Sequence, residues 1–213
     1  MSVLKDELNT GDIILFHHKN DCHSCYNCFF SCVTGLIESC TKSKYSHVAM
    51  VVRDPQFTDP PMKGLYVMES SFESFPDAED HKYKFGVELE DFDKVIESAR
   101  PHENIYWRKL ICNRDVKFYQ TLEETHKEVH NKPYDIYPQD FVDALLHREN
   151  TSGGQTTSRF FCSALIAYIY VAWGFLPFST QWTRVTPKMF GSEEKNPYEL
   201  IFKNCKVNPE IEF

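Results

Sequence analysis

Between Arg159 and Arg184 the chain carries no charged side chain, and this stretch constrains the fold more than any other. An apolar run of that length is either a membrane span or a helix buried in a core together with the loop that follows it. Gly174 and Pro177 interrupt it, and Ser163, Ser179, Thr180 and Gln181 punctuate it, which favours the buried helix. Gly174 marks the stop, because a residue without Cβ takes the left-handed cap conformation, and Pro177 forbids resumption. Cys162 stands at the start of this helix. A thiol in the first turn feels unsatisfied amide N–H groups and the positive end of the helix dipole, which favour the nucleophilic thiolate. Taken alone, the same cysteine reads more readily as a small buried hydrophobe.

A length of 213 residues accommodates one domain over 1–213 with a core that needs no staples, a cysteine-rich insertion at about 20–40 and a C-terminal extension at about 176–213. The net charge of -8, with no basic cluster to offset it, argues against a nucleic-acid partner. The N-terminus lacks an apolar segment of signal-peptide length, so the expectation is an intracellular, cytoplasmic protein with no transmembrane span. Its eight cysteines should then be mostly reduced.

The apolar run Ile13–Phe16 predicts a buried strand with His17 and His18 at its end. His47–Val52 and Gly64–Ser70 predict two further strands, joined through the turn-prone Asp54–Pro61 and therefore antiparallel neighbours. His47 opens the first of these, and Glu69 lies near the end of the second. In an antiparallel pair the start of one strand lies beside the end of its partner, so the two side chains can meet. Asp91–Glu97 and the segment from Asp115 to Pro133 read as helices, the latter structural and carried by Tyr119, Leu122, His126 and Val129. Asn104–Ile111 reads as a strand, Gln139–Leu146 as a short helix, and Asn150–Ser158 as a Gly-containing loop able to gate a cleft.

A cysteine hydrolase needs a thiolate, an imidazole to manage its proton, and a polar group that holds the ring in one tautomer. Cys162, His47 and Glu69 supply those types at a helix start and two adjacent strand ends. Glu73, beyond the strand, is a rival for the third position.

The motifs Gly11-Asp-Ile-Ile-Leu-Phe16, Tyr45-Ser-His-Val-Ala-Met50, Met68-Glu-Ser70, Lys132-Pro-Tyr-Asp135 and Phe161-Cys-Ser-Ala-Leu-Ile-Ala-Tyr168, in that order, resemble the permuted papain-fold cysteine hydrolases of the YiiX/YaeF group. That group belongs to the NlpC-type superfamily and is similar to a poxvirus protein family and, distantly, to lecithin:retinol acyltransferase. The resemblance spans about residues 9–175. It implies an α+β, circularly permuted papain-like fold, an antiparallel sheet packed on the helix that carries the nucleophile. It further implies Cys162 as nucleophile, His47 as base and Glu69 as orienting residue, with Tyr134 and Asp135 lining the cleft. Tyr45 is a further candidate, for a hydroxyl near the oxyanion or for packing. Ala164 departs from the pattern, standing where bacterial relatives often carry an acidic residue, and the cysteine-rich insertion is a second departure.

Cys22, Cys25, Cys28 and Cys32 have the spacing of an iron–sulfur or zinc thiolate set, but Val33 replaces the proline expected after a ferredoxin's fourth cysteine. Cys25, Cys28 and Cys32 also share one helical face, so packed thiols or a redox role fit as well. No cofactor is otherwise implied. The expected activity is cleavage of an amide (peptide, isopeptide or N-acyl) or ester bond through a cysteine acyl-enzyme, on a peptide, amide or acyl-lipid substrate. The aromatic residues Phe160, Phe161, Tyr134 and Tyr137 are compatible with an apolar group, although a core uses such residues too, and peripheral membrane contact fits that substrate class. The competing readings are a lipid acyltransferase or thioesterase on the same triad, a binding module without turnover, and a cluster-bearing redox protein.

Overall fold

A computed structural model describes residues 2–19, 44–72, 75–134, 157–158, 160–192 and 200–213. Its centre is a sheet of six antiparallel strands in the order β4-β3-β2-β1-β5-β8. These are β1 (Ile13–His18), β2 (His47–Arg53), β3 (Leu65–Phe72), β4 (Phe85–Asp91), β5 (Glu103–Arg108) and β8 (Ile211–Glu212). A two-stranded sheet pairs β6 (Leu110–Ile111) with β7 (Lys206–Val207). The helices are α1 (Ser2–Glu7), α2 (Phe92–Ala99), α3 (Val116–Val129) and α4 (Cys162–Ala172). The described chain is thus a mixed α+β fold around an antiparallel sheet.

The continuous apolar runs of β1 and β2, as opposed to an in–out alternation, follow from the sheet being covered on both faces. Ile13, Leu15, Val48, Met50, Val52, Met68 and Leu89 pack on one face against α4 and α3. Ile14, Phe16, Ala49, Val51 and Val67 pack on the other against Phe92, Val95 and Ile96 of α2 and against Leu8 and Trp107. Helix α4 is buried nearly all round, with Leu165 and Ile166 at 0 % exposure and Ile169 at 1 %. Burying each such side chain contributes roughly 1.5–3 kcal/mol.

Helix α4 spans 11 residues. The uncharged stretch therefore divides into a short core helix and the loop and 3-10 turns that follow, and among the described residues no helix is long and apolar enough to cross a membrane. It closes as the sequence predicts. Gly174 has φ 72°, its N–H donates to the Val171 carbonyl at 2.9 Å, and the Phe175 N–H donates to the Tyr170 carbonyl at 2.8 Å. These are the paired bonds of a glycine-terminated helix, which satisfy the last free carbonyls.

Two sequence expectations change in detail. The strand expected over Asn104–Ile111 breaks at Lys109 into β5 and β6, because the two halves pair in different sheets. In α3 the buried face is Phe118, Leu122, Thr125, His126 and Val129, whereas Tyr119 is 47 % exposed and packs edge-on against Phe118. The cysteines at 22, 25, 28, 32 and 40, the segment 139–146, the loop 150–156, and Glu73 and Tyr137 lie outside the described residues.

Before β1, Asp12 ties three elements together. Its carboxylate, 0 % exposed, accepts from the backbone N–H groups of Asn9 (3.1 Å) and Leu110 (3.0 Å), from Trp107 Nε1 (2.9 Å) and from Arg114 Nη2 (3.2 Å). Burial pushes this carboxyl above its ordinary value against the pull of those donors. The result locks β1, β5 and the approach to α3 together, and β1 in turn supports β2 through the register Ile13–Met50 to Phe16–His47.

Candidate active site

The site is assembled where the first residue of β2 meets the first residue of α4. Strand β2 pairs with β3 from Met50–Met68 to Arg53–Leu65, so His47 and Glu69 lie just past the paired stretch at the same end of the sheet. By alternation both belong to the face that carries Ala49, Val51 and Val67, while α4 covers the opposite face. His47 is the first residue of β2 and so lies at the end of the sheet.

Strand β3 positions both sides of this junction. Glu69 turns to His47, and its neighbour Ser70, pointing the other way, donates a 2.7 Å hydrogen bond to the carbonyl of Phe160. Phe160 is further held by its N–H on the Pro133 carbonyl (3.1 Å) and a parallel bridge with Tyr134, and the Tyr134 N–H donates to the Phe85 carbonyl (3.0 Å). Inside α4, the Ser163 hydroxyl donates to the Val185 carbonyl at 2.6 Å. Cys162 is therefore the hinge of a segment pinned before and after it. Gly86, with φ 152°, lies against Lys132 and Pro133, and a Cβ there would run into the Lys132 carbonyl.

His47 Nε2 bonds directly to Glu69 Oε2, and Cys162 is near enough to act on the charge of the ring. With Nε2 engaged by the carboxylate, Nδ1 is the nitrogen able to serve the sulfur. The ring packs on Phe16 at a centroid separation of 5.3 Å, and its side chain is 16 % exposed against 5 % for Glu69. Burial works against a charged His47, but the adjacent Cys162 and Glu69 outweigh it and hold the imidazole well above its ordinary value. Burial likewise opposes charge on Glu69, and the His47 cation overcomes it, lowering the carboxyl below its ordinary value. The two shifts describe one event, an imidazolium–carboxylate pair sharing a proton across a buried contact.

Two residues that the sequence reading passed over complete this wall. Glu88 and Glu90 of β4 are each 2 % exposed. Burial, followed by repulsion from the Glu69 carboxylate, pushes Glu90 up to about 10, so it is a neutral acid at physiological pH and donates a hydrogen bond to Glu69. Its Oε1 accepts from the Phe75 N–H at 3.0 Å, and Glu88 Oε1 accepts from the Ser71 hydroxyl at 2.8 Å. The only sequence signal was the alternation Val87-Glu-Leu-Glu90, which is also that of a strand with one solvated face.

The α4 N-terminus has no side-chain cap: Phe161 is the N-cap residue and supplies none. The first backbone N–H groups of the helix have no intrahelical partner, and Cys162 stands in that first turn. Of the remaining sequence candidates, Tyr134 is half-buried and stacked on Phe85 (5.2 Å, 15°) beside the entry to α4. Tyr45 is 1 % exposed, donates its hydroxyl to Glu210 Oε1 (3.1 Å) and packs edge-on against Tyr106. Asp135 lies outside the described residues. Phe160 (0 %) and Phe161 (8 %) are core residues, the former packed with Tyr168 and Trp182.

Comparison with known proteins yields one likeness to report. The chain is similar to the crystal structure of metalloprotein yiiX from Escherichia coli O157:H7 (DUF1105), with 18% sequence identity, coverage of 96% of this chain and 98% of that chain, and a TM-score of 0.48. At that identity and score the likeness carries no functional argument. No family model matches the sequence, and no curated protein matches it.

Proposed function

We propose that the chain is a cysteine hydrolase on a permuted papain-like fold, acting on an amide or ester bond through a Cys162 acyl-enzyme. The observation that carries this reading is the two-sided engagement of His47, with Cys162 on one side and buried Glu69 on the other. The chain order His47, Glu69, Cys162 is what a permutation produces, with the nucleophile's helix following the strands it packs against. In the forward step Cys162 Sγ attacks the carbonyl carbon while the first α4 amides stabilise the oxyanion. His47 gives its proton to the departing nitrogen or oxygen as the thioester forms. Neutral His47 then takes a proton from water, whose oxygen attacks the thioester, and the carboxylic acid leaves as the thiolate–imidazolium pair is restored. Glu69 remains ionised throughout, held in register by Glu90.

The test is to present a panel of activated amides and esters to the purified chain and follow intact mass. The expected result is an acyl adduct on Cys162 that hydroxylamine removes and that is missing in Cys162→Ala. Turnover that survives Cys162→Ala, or a panel that leaves Cys162 unmodified while iodoacetamide also fails to label it, overturns the reading.

A further inference from the structure

Away from Cys162, three side chains converge that the proposed reaction does not use. His126 and His130 lie four residues apart at the end of α3, so their rings share a face. Glu79 reaches them from the connection between β3 and β4. His126 Nε2 is 3.0 Å from Glu79 Oε2, His130 Nδ1 is 3.2 Å from the same oxygen, and the two nitrogens are 3.2 Å apart. Three ligand atoms about 3.4 Å apart form the face of a tetrahedron around a metal ion with bonds of about 2.1 Å, so this triangle needs to open by only a few tenths of an ångström.

We propose that Glu79, His126 and His130 form a binding site for a divalent transition-metal ion, Zn2+ by the nature of the donors, which clips the end of α3 to the β3–β4 connection. Ordinary hydrogen bonding accounts poorly for the cluster. Glu79 Oε2 is shielded from solvent, yet no hydrogen bond of good geometry completes it, although two ring nitrogens lie beside it. The surroundings are built to hold the ligands. The Phe57 ring packs on His126 at 4.4 Å, and fully buried Asp77 accepts through Oδ1 from the Glu79 N–H (2.7 Å), setting the loop that presents the carboxylate. The nearby Lys84 ammonium is balanced by Asp77 (3.0 Å) and Asp80 (3.3 Å). Side-chain exposures of 19 % for Glu79 and 24 % for His130 leave an entry path and a fourth position for water. Such a clip fixes the chain that runs from His130 to Lys132–Tyr134, the segment that pairs with Gly86 and Phe160 ahead of Cys162.

The full chain, made without a histidine tag and stripped with chelator, is titrated with Zn2+ by calorimetry and with Co2+ by absorption. Because the cysteines at 22, 25, 28 and 32 are rival ligands, the titration is repeated with all four replaced by serine. The site predicts a Co2+ spectrum without thiolate charge transfer, one equivalent of Zn2+ retained by the serine variant, and binding weakened more than about 100-fold in His130→Ala, beyond the loss of an outer-shell partner. In the 15N spectrum of the unmodified protein, His126 Nε2 and His130 Nδ1 should shift on Zn2+ addition, a readout that needs no variant to fold. Loss of Zn2+ binding in the serine variant, wild-type affinity in a folded His130→Ala, or unmoved imidazole resonances would overturn the proposal.

Discussion

Replacing Glu90 by Gln tests the electrostatics of the site without removing a hydrogen bond. In the folded protein the carboxyl is a neutral acid with a value of about 10, against 4.5 for the ordinary group, because burial and then the Glu69 carboxylate oppose its ionisation. A carboxyl raised on folding binds its proton more tightly in the native state, so stability falls as pH rises from about 4.5 towards 10. Each unit is worth about 1.36 kcal/mol, which integrates to about 3 kcal/mol between pH 5 and pH 7.5. Glutamine is neutral at every pH, keeps an oxygen for the Phe75 N–H and keeps an N–H for Glu69. Urea unfolding of wild type and Glu90→Gln, followed by tryptophan fluorescence from pH 5 to 8, should therefore give a stability difference that grows with pH in favour of glutamine by about that amount. Iodoacetamide labelling of Cys162 should be unchanged in Glu90→Gln and slowed in Glu90→Ala, which removes the donor. Parallel stability profiles for wild type and Glu90→Gln would refute the assignment of a neutral acid behind Glu69.

Among the described thiols, Cys162 should be alkylated first at pH 7, since burial holds Cys112 above its ordinary value and pushes Cys205 up to about 12; peptide mapping by mass spectrometry reads the order. On any substrate that acylates Cys162, His47→Ala should reduce turnover about 100- to 10,000-fold. The His47 cation contributes stability that is complete below about 6.5 and lost as pH rises through its raised folded value. In Glu69→Gln that folded value should fall, because the ring loses a carboxylate partner that favours its charged form, as measured by NMR titration of the ring. Asp12→Asn points an amide N–H at two of the four donors now held by the carboxylate and weakens the Arg114 pair, so chemical denaturation should show a loss of about 3–5 kcal/mol.

What could be read from the sequence was local or periodic. The stop at Gly174 follows from one residue's freedom at positive φ, and the Asp115 start of α3 from a side chain that accepts the Phe118 N–H at 3.0 Å. The strands β1, β2 and β3 follow from apolar runs separated by turn residues. The approach of His47 to Glu69 follows from antiparallel geometry, which puts the first residue of one strand beside the last part of the next.

Tertiary structure decided what depends on the direction a side chain faces and on what covers it. An acidic residue in an alternating strand has the same sequence whether water or protein lies over it, so the neutral Glu90 behind Glu69 emerges only once the β3–β4 connection is in place. From their position Phe160 and Phe161 suit a cleft or a core equally, and burial decides for the core, with Tyr168 and Trp182 packed on Phe160. His126 falls on the apolar stripe of α3, where helical period alone reads it as structural; Glu79, 47 residues away in the chain, gives it a partner. The sequence alone determined β1 to β3, the start of α3 and the stop of α4, since these depend on backbone preferences and period. Only packing decided which buried groups share a proton or face a common centre, because those energies depend on distance and solvent exclusion, which the order of residues does not state.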